Sequence, residues 1–169
     1  MVFLGTCSGK VFGVKFVQGI MNSRIYQRHV KYVCVPQLKD LNDGTLVGIT
    51  WQQDGANIHR NPAFMDYLEE TFDGQVLALG AHYYKRRGHS WAPRSPDLSV
   101  LDFAIWPILK SKVFLHPRPN TLEDLEAKIL QVIEEVNQDP DLIRQCHLSV
   151  RKRADLCFAN FGKHFEFLQ

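Results

Sequence analysis

The chain has 169 residues, of which 45% are hydrophobic and 22% are charged. This composition can supply the core of one globular domain and excludes an intrinsically disordered chain. The 20 basic and 18 acidic residues leave a net charge of only +2, which by itself indicates neither a nucleic-acid nor a membrane partner. No apolar run reaches the roughly 18 residues that cross a membrane, and we find no signal peptide. The four cysteines are scattered without a CxxC pair, so we expect reduced thiols in an intracellular protein.

The first predicted elements are a β-hairpin and a helix. Residues 2–7 and 11–17 are β-prone runs on either side of the Ser8–Lys10 turn, a pattern typical of a hairpin. Asn22–Ser23 offers an N-cap for a helix that Pro36 is expected to kink or end. The residues expected near one face of this helix are Ile25, His29, Tyr32 and Val33.

A strand, a helix and a second strand are predicted next. Residues 45–51 form a β-branched and aromatic run that stops shortly before Asp54, which indicates a buried strand ending near an acidic residue. A helix closed by Asp73–Gly74 follows, and residues 76–79 form another short β-prone run. The apolar residues at helical spacing between the two strands are Phe64, Tyr67, Leu68 and Phe72.

The second half of the chain predicts an exposed basic loop and three helices. Residues 83–97 are irregular and contain no acid before Asp97. Helical spacing then runs from Leu101 to about Lys112, residues 121–124 resemble a capping box, and Asp139–Pro140 caps a last helix. The residues expected to face inward on the last two helices are Leu122, Leu125, Ile129, Val132 and Val136, then Leu142, Cys146, Val150 and Cys157. Together these elements predict an α/β domain, in which helices pack on a mixed sheet and a helical tail follows.

Two acidic residues stand out as candidates for chemistry. Asp54 lies at the end of a predicted strand, where active sites of α/β proteins gather, and Asp102 lies in the helix after the basic loop. Two converging carboxylates repel each other unless a divalent cation neutralises them, and Mg²⁺ prefers oxygen ligands of this kind. An alternative interpretation needs no metal, because Asp-Gly is a common turn dipeptide and an acid early in a helix complements the helix dipole.

The residues around these two acids resemble a known family. The range Trp51–Ala56 reads WQQDGA and is followed by His59, and the range Ser95–Phe103 reads SPDLSVLDF and is followed by Trp106 and the run LKSKV at 109–113. The two segments resemble the second-acid and third-acid motifs of mariner-like DDE/D transposases. Shorter similarities extend the resemblance along the chain, at residues 16–19, residues 21–23, Tyr26 and residues 162–166.

The resemblance implies an RNase H-like fold in which three acids bind Mg²⁺ or Mn²⁺ and catalyse DNA strand cleavage and strand transfer. It also implies DNA as partner, a nuclear location and a homodimer, with no small-molecule substrate. The whole range 1–169 would then be a partial catalytic domain, with a core at 1–112 and a helical tail at 113–169.

Individual roles carry over from the resemblance by position. Asp54 matches the second metal-binding acid, and Asp102 rather than Asp97 matches the third. Asp97 is interpreted instead as a helix cap. His59 matches a family histidine, for which a structural or positioning role and a direct role both stay open, although not that of a general base. Asn57–Ile58 replaces a pair of prolines that is usual in the family.

Other departures concern spacing and the start of the domain. Val100 stands where the family usually has proline, and 48 positions separate the two acids, more than in mariner itself. The first aspartate of the family belongs to a strand that would precede Val2, so we expect this chain to be inactive by itself. Without that strand, we expect either that residues 2–7 pair directly with the Asp54 strand or that the sheet is loosened.

The basic loop is the second functional candidate. It interleaves cations with aromatic rings, a mixture that can hold phosphates and stack on bases, although an ordinary solvated loop has the same composition. The residues assigned to DNA binding are Lys85, Arg86, Arg87, Trp91 and Arg94. The alternative function is therefore a non-enzymatic remnant that binds DNA or a protein through residues 83–94.

Overall fold

The structure is a computed structural model that describes residues 1–79, 88–163 and 165. The chain forms two compact units. Unit 1 contains Met1–Leu4 and Phe12–Arg94, and unit 2 contains Gly5–Val11 and Ser95–Gln169. The predicted boundary between a core and a tail after residue 112 stays a prediction. Among the described residues, no helix is long and apolar enough to span a membrane.

The strands form two separate sheets. The first sheet is the hairpin of β1 and β2, and the second contains three short parallel strands in the order β3–β4–β5. Trp51 of β3 is in register with Val76 of β4, and Leu77 of β4 with His89 of β5. The strands are β1 (Val2–Cys7), β2 (Lys10–Phe16), β3 (Trp51–Gln52), β4 (Val76–Ala78) and β5 (His89–Ser90).

Helices make up most of the remaining described chain. Two of them are preceded by a π-helical segment, and a 3₁₀ turn lies between β3 and the third helix. The bounds are α1 (Ser23–His29), a π segment (Val30–Cys34), α2 (Val35–Leu41), a 3₁₀ turn (Asn57–His59), α3 (Pro62–Thr71), a second π segment (Leu101–Ile105), α4 (Trp106–Val113), α5 (Leu122–Asn137) and α6 (Pro140–Ala159). Together with the two sheets, these helices confirm a mixed α/β protein.

The strand predicted over residues 45–51 is much shorter in the structure. Only Trp51 and Gln52 are extended and paired, and the residues from 45 to 50 form a loop. Gly48 in this loop has a φ of +79°, a backbone conformation that is incompatible with a continuous strand. Val47 is accordingly 82% exposed. β-Propensity alone was misleading here, because the glycine breaks the run.

The helical segment continues past Pro36, so the expected end of the helix at this residue is wrong, and the expected kink stays a prediction. A π-helical turn over residues 30–34 precedes the proline, which is the second residue of α2. The same arrangement recurs at Pro107, the second residue of α4, after the π turn at 101–105. A proline inside an α-helix cannot donate a hydrogen bond to the carbonyl four residues earlier, and its ring clashes with that carbonyl. A wider π turn before the proline accommodates both effects. It also turns Tyr32 outward, so this residue is 65% exposed instead of facing the core.

The hairpin does not pair with the Asp54 strand among the described residues, so the predicted direct pairing is wrong. Side chains cover backbone groups of β2 instead. In unit 1, the Gly13 N–H donates to Gln37 Oε1 at 2.7 Å, and His29 Nε2 donates to the Gly13 carbonyl, also at 2.7 Å. In unit 2, the Asn137 amide accepts the Val11 N–H at 2.7 Å and donates to the Val11 carbonyl at 3.1 Å. These contacts satisfy strand groups that would otherwise lack partners.

Each unit has its own apolar core. In unit 1, Tyr26, Leu38, Leu68 and Phe72 are at most 2% exposed. The fully buried side chains of unit 2 are Ile105, Val132, Val136, Ile143 and Phe165. Burial of Val132 and Val136 agrees with the predicted inner face of α5, whereas Leu122 is 55% exposed. The residues predicted to face inward on α6 are only half-buried, and Ile143 takes the central place on that helix.

Arg153 on α6 does not lie on a solvated helix face, although its basic neighbours Arg151 and Lys152 do. Its guanidinium stacks 4.1 Å from the centre of the Phe103 ring and 5.6 Å from that of Phe165. Its Nε donates to the Asp97 carbonyl. The side chain therefore links α6 to the segment that precedes α4.

We expect Gly13→Ala to destabilise the protein more than Gly19→Ala. Both glycines have a positive φ, +63° and +81°, but a Cβ at Gly13 would lie 2.8 Å from Cys34 Sγ, whereas nothing lies within 4 Å of one at Gly19. Gly19→Ala carries only the left-handed backbone cost of about 1–2 kcal/mol. Gly13→Ala adds an overpacking cost of about 1–3 kcal/mol. Urea denaturation would measure both, and equal losses would contradict the close contact at Cys34.

We expect Arg153→Ala to lower the unfolding free energy by about 1–3 kcal/mol, through loss of the cation–π contacts and of the bond to Asp97. Arg153→Lys restores the charge without the planar stacking group, so only partial recovery is expected. Lys152→Ala, at an exposed neighbouring position, serves as control and should stay within about 0.5 kcal/mol of wild type. Thermal and urea unfolding report these changes, and an equal effect of the two alanine substitutions would contradict the packed role.

Candidate functional site

Asp54 directly follows the residue that makes the last backbone hydrogen bond between the parallel strands β3 and β4 of unit 1. The Trp51 N–H donates to the Gln75 carbonyl at 2.9 Å, and the Gln53 N–H donates to the Leu77 carbonyl at 3.0 Å. Asp54 is the next residue and turns out of the sheet. Its carboxylate thus lies at the carboxyl end of a parallel strand, the edge at which α/β proteins bind ligands.

The loop from Asp54 to Arg60 folds back on its own first residue. Asp54 Oδ1 accepts the Ala56 N–H at 3.0 Å and lies 2.7 Å from His59 Nδ1. Arg60 donates from Nε and Nη2 to the Gly55 carbonyl at 2.8 and 2.5 Å. A Cβ on Gly55 would lie 2.6 Å from Leu79 Cδ2, so the approach of the loop to that side chain requires glycine. Asp54 is therefore held in one orientation.

The carboxyl group of Asp54 remains ionised well below neutral pH. The His59 hydrogen bond lowers its pKa below the usual value, the Ala56 N–H and the charges of His59 and Arg60 act in the same direction, and partial burial opposes them. The side chain is still 53% exposed. Its second oxygen, Oδ2, has no polar contact among the described residues. Oδ1 is thus restrained, whereas Oδ2 has no partner within the part of the chain that the structure describes.

A buried amide supports this loop from below. Gln53 is 6% exposed, and its Oε1 accepts the Tyr26 hydroxyl at 2.7 Å and the Trp51 indole N–H at 3.1 Å. Its Nε2 donates to the His59 carbonyl at 3.3 Å and contacts Met65 Sδ at 3.4 Å. Sequence reasoning missed this hub. The only available signal was a glutamine next to the acid, at a strand position that faces the core.

The His59 side chain is held in place by the Tyr26 ring and the Asp54 carboxylate. Its ring centre lies 4.4 Å from that of Tyr26, and its side chain is only 15% exposed. Burial raises the pKa of the Tyr26 hydroxyl far above its ordinary value, so this hydroxyl stays protonated and acts as a donor. These contacts hold the His59 ring beside the Asp54 carboxylate, and its role, positioning or direct, stays a prediction.

Asp102 lies in unit 2, within the π segment that precedes α4. The side chain is exposed, and its backbone N–H donates to the Ser99 carbonyl at 2.9 Å. No hydrogen bond or ion pair of its carboxylate occurs within the described part of the chain. Asp54 and Asp102 thus belong to different units, and each is a carboxylate with at least one oxygen available.

Asp97 does not cap this helix, so that prediction is wrong. No side chain of the described residues caps the helix start at Val100. The N–H groups of Asp102 and Phe103 donate to the Ser99 carbonyl instead. Asp97 contributes its backbone carbonyl to Arg153, which fixes the segment from the opposite helix.

The donor set suits a hard divalent cation. Carboxylate oxygens are the ligands that Mg²⁺ and Mn²⁺ prefer, and Mg²⁺ is usually bound by one or two carboxylates together with water and phosphate oxygens. Within unit 1, Asp54 carries such an oxygen, and within unit 2, Asp102 carries another. In the described ranges, no three His, Cys, Asp or Glu side chains come together as a ready metal cluster.

The residues predicted to bind DNA have different outcomes. Lys85, Arg86 and Arg87 lie outside the described residues. Trp91 is only 8% exposed and its backbone N–H donates to the Ala78 carbonyl, so its ring belongs to the core of unit 1 and is not presented for stacking on a base. Arg94 is exposed and has a φ of +55°.

Neither a protein-family model nor a curated protein matches the sequence.

We expect His59→Asn to raise the pKa of Asp54, because the hydrogen bond from His59 is the largest cause of its lowering. Since the folded pKa lies below the unfolded one, ionised Asp54 stabilises the protein at neutral pH, and this contribution is lost as the pH falls through the folded pKa. Arg60→Gln removes only a weaker charge effect, so a smaller rise is expected. Carboxyl NMR titration of both variants measures the shifts; a larger rise in Arg60→Gln would contradict the assigned order of causes.

Proposed function

We propose that this chain is part of a metal-dependent DNA-processing domain of the mariner-like DDE/D transposase type, with Asp54 and Asp102 as metal-binding carboxylates. The observation that carries this proposal is the state of Asp54. It lies at the carboxyl end of a parallel strand, with one oxygen restrained by His59 and Ala56 and the other open.

The geometry of Asp54 favours a ligand over a mere turn residue. A turn needs only one acceptor atom, which Oδ1 provides. The His59 bond and the nearby Arg60 charge keep the group ionised, and they also limit its rotation. An ionised and restrained carboxylate with a free oxygen loses little entropy when it binds a cation.

Asp102 supports the proposal by its location. It occupies a π-helical turn, a distortion that is frequent at functional sites. The exposed carboxylate has no competing cation among the described residues. The motif around Asp102 supplies the second part of the transposase resemblance.

In this proposal the protein groups bind and orient, and a bound Mg²⁺ or Mn²⁺ would activate the nucleophile and stabilise the leaving oxygen of a phosphodiester. Asp54 and Asp102 would each act as a metal ligand, as the resemblance implies, and His59 keeps Asp54 in position. The substrate class is DNA. A nuclear location and a homodimer are part of the same proposal, and both rest on the resemblance alone.

The resemblance implies three acids, and two of them match Asp54 and Asp102. Because two carboxylates alone cannot position two ions, we expect metal binding to be easier to detect than DNA cleavage. Metal affinity is accordingly the primary measurement, and DNA nicking is the second.

The test is Mn²⁺ binding by electron paramagnetic resonance, with Asp54→Asn and Asp102→Asn compared with wild type. Asp40→Asn and Asp155→Asn are matched controls, because they remove exposed carboxylates at helical positions in unit 1 and unit 2. Loss of one ligand should weaken binding at least about tenfold, which corresponds to about 1.4 kcal/mol. The controls should stay within about twofold of wild type.

Two results would decide against the proposal or for its alternative. Equal Mn²⁺ affinity in wild type, Asp54→Asn and Asp102→Asn would overturn the metal site. A further variant combines Asp54→Asn with Asp102→Asn. If it still binds DNA in a salt-dependent way, and wild type shows no measurable Mn²⁺ binding, the chain would be a non-enzymatic DNA-binding remnant. Any nicking of a labelled duplex that requires both metal and both acids would show that a further ligand completes the site.

A further inference from the structure

The net charge of +2 conceals a strong asymmetry along the chain. The first 39 residues contain six basic residues and no acidic one, whereas the other 130 contain 14 basic and 18 acidic residues. The basic residues of this first part are Lys10, Lys15, Arg24, Arg28, Lys31 and Lys39. A segment of one sign on a near-neutral protein indicates a surface for a partner of the opposite sign.

The structure arranges three of these cations as one stripe. Arg24 and Arg28 are four residues apart on α1, and Lys31 follows three residues later in the adjoining π segment. All three are exposed. The opposite side of the same helix is buried, with Tyr26 at 1% and Val30 at 0% exposure. This basic stripe therefore faces solvent along the length of α1.

The cations of the basic stripe are not neutralised within the described part of the chain. None of Arg24, Arg28 and Lys31 forms an ion pair with a described residue. Lys31 instead lies over two aromatic rings, with its ammonium 5.2 Å from the centre of Tyr67 and 5.7 Å from that of Tyr32. These rings attract the cation and limit its freedom without cancelling its charge.

We propose that the basic stripe of Arg24, Arg28 and Lys31 binds the phosphate backbone of a DNA duplex. A helical rise of 1.5 Å per residue separates the three positions by about 6 and about 10 Å along the axis. One strand of a duplex presents a phosphate about every 3.4 Å of its axis, so the stripe spans two to three phosphates. Contacts of this type position the duplex and carry no base specificity.

A lipid surface fits the basic stripe less well. A helix that binds at a membrane surface inserts its apolar face between the lipids. The apolar face of α1 is occupied in the core of unit 1, where the Tyr26 ring contacts His59 at 4.4 Å between ring centres. Only the charged side of α1 remains available to a partner, and a polyanion can bind to exposed positive charges alone.

This inference goes beyond the metal site, since holding DNA on the basic stripe requires neither a cation at Asp54 nor cleavage. It rests on the proposed function only for the choice of DNA as the polyanion. Its test is therefore done in EDTA, so that failure of the metal site and failure of the stripe give different results.

The experiment follows fluorescence anisotropy of a labelled 20-base-pair duplex of mixed sequence between 50 and 200 mM NaCl. The stripe variant is Arg24→Ala with Arg28→Ala and Lys31→Ala. The control variant, Lys110→Ala with Arg151→Ala and Lys152→Ala, removes the same charge from exposed positions of unit 2. We expect at least about tenfold weaker binding at 100 mM salt for the stripe variant, a salt slope smaller by about 2 to 3, and less than about twofold change for the control.

A charge-preserving variant tests whether binding depends on the positive charges or on the particular side chains that carry them. Arg24→Lys with Arg28→Lys and Lys31→Arg should bind within about threefold of wild type, because nonspecific phosphate contacts need the charge and not the fork of arginine. Circular dichroism verifies folding of every variant. If the alanine variant unfolds, Arg24→Gln with Arg28→Gln replaces it, and the salt slope should then fall by about 2.

Four results would overturn the proposal. They are wild-type affinity and salt slope in the stripe variant, an equal loss in the control variant, displacement of the duplex by polyglutamate at equal charge, and tighter binding to phosphatidylserine vesicles than to DNA. The third result would assign the stripe to an acidic protein segment, and the fourth would assign it to a lipid surface.

Discussion

The buried amide of Gln53 is the interaction on which the candidate site depends. A buried amide is costly unless its oxygen and nitrogen both find partners, and here they join the Tyr26 hydroxyl on α1, the Trp51 indole on β3, the His59 carbonyl and the Met65 sulfur on α3. A single side chain therefore fixes the relative places of two helices, a strand and the 3₁₀ turn within unit 1. The orientation of the Asp54 loop follows from that arrangement.

The second constraint is the shortage of strand partners. The described strands form a hairpin and a separate three-stranded sheet with strands of two or three residues, so backbone groups along the strand edges need other acceptors and donors. Gln37 and His29 supply them at Gly13, and Asn137 supplies them at Val11. Burial lowers the pKa of His29, which keeps its ring neutral near pH 7. Polar side chains thus take over pairing that a neighbouring strand provides in larger sheets.

Local signals in the sequence predicted the starts of α1, α5 and α6 but not that of the segment before α4. Non-local contacts account for much of what the sequence could not predict. Asn22 and Asp139 accept the N–H groups that their cap positions require, because an N-cap involves residues only three apart. The positive φ of Gly48 keeps the residues before Trp51 out of β3. Arg153 packs on the rings of Phe103 and Phe165, which the sequence around Arg153 does not indicate. The basic stripe is visible in the sequence, but only when charge is counted by segment and the helix faces are known.

For Asp54 the sequence located the residue at a strand end but could not separate two uses of a carboxylate. A loop cap and a metal ligand require the same residue at the same place. The structure separates them by atom, since Oδ1 accepts from Ala56 and His59 while Oδ2 has no partner among the described residues. An asparagine would retain an acceptor for the cap and lose the charge that His59 and Arg60 stabilise. The isosteric change therefore keeps the acceptor that the loop needs and removes the charge that a cation requires, so the two uses of Asp54 become separable by experiment.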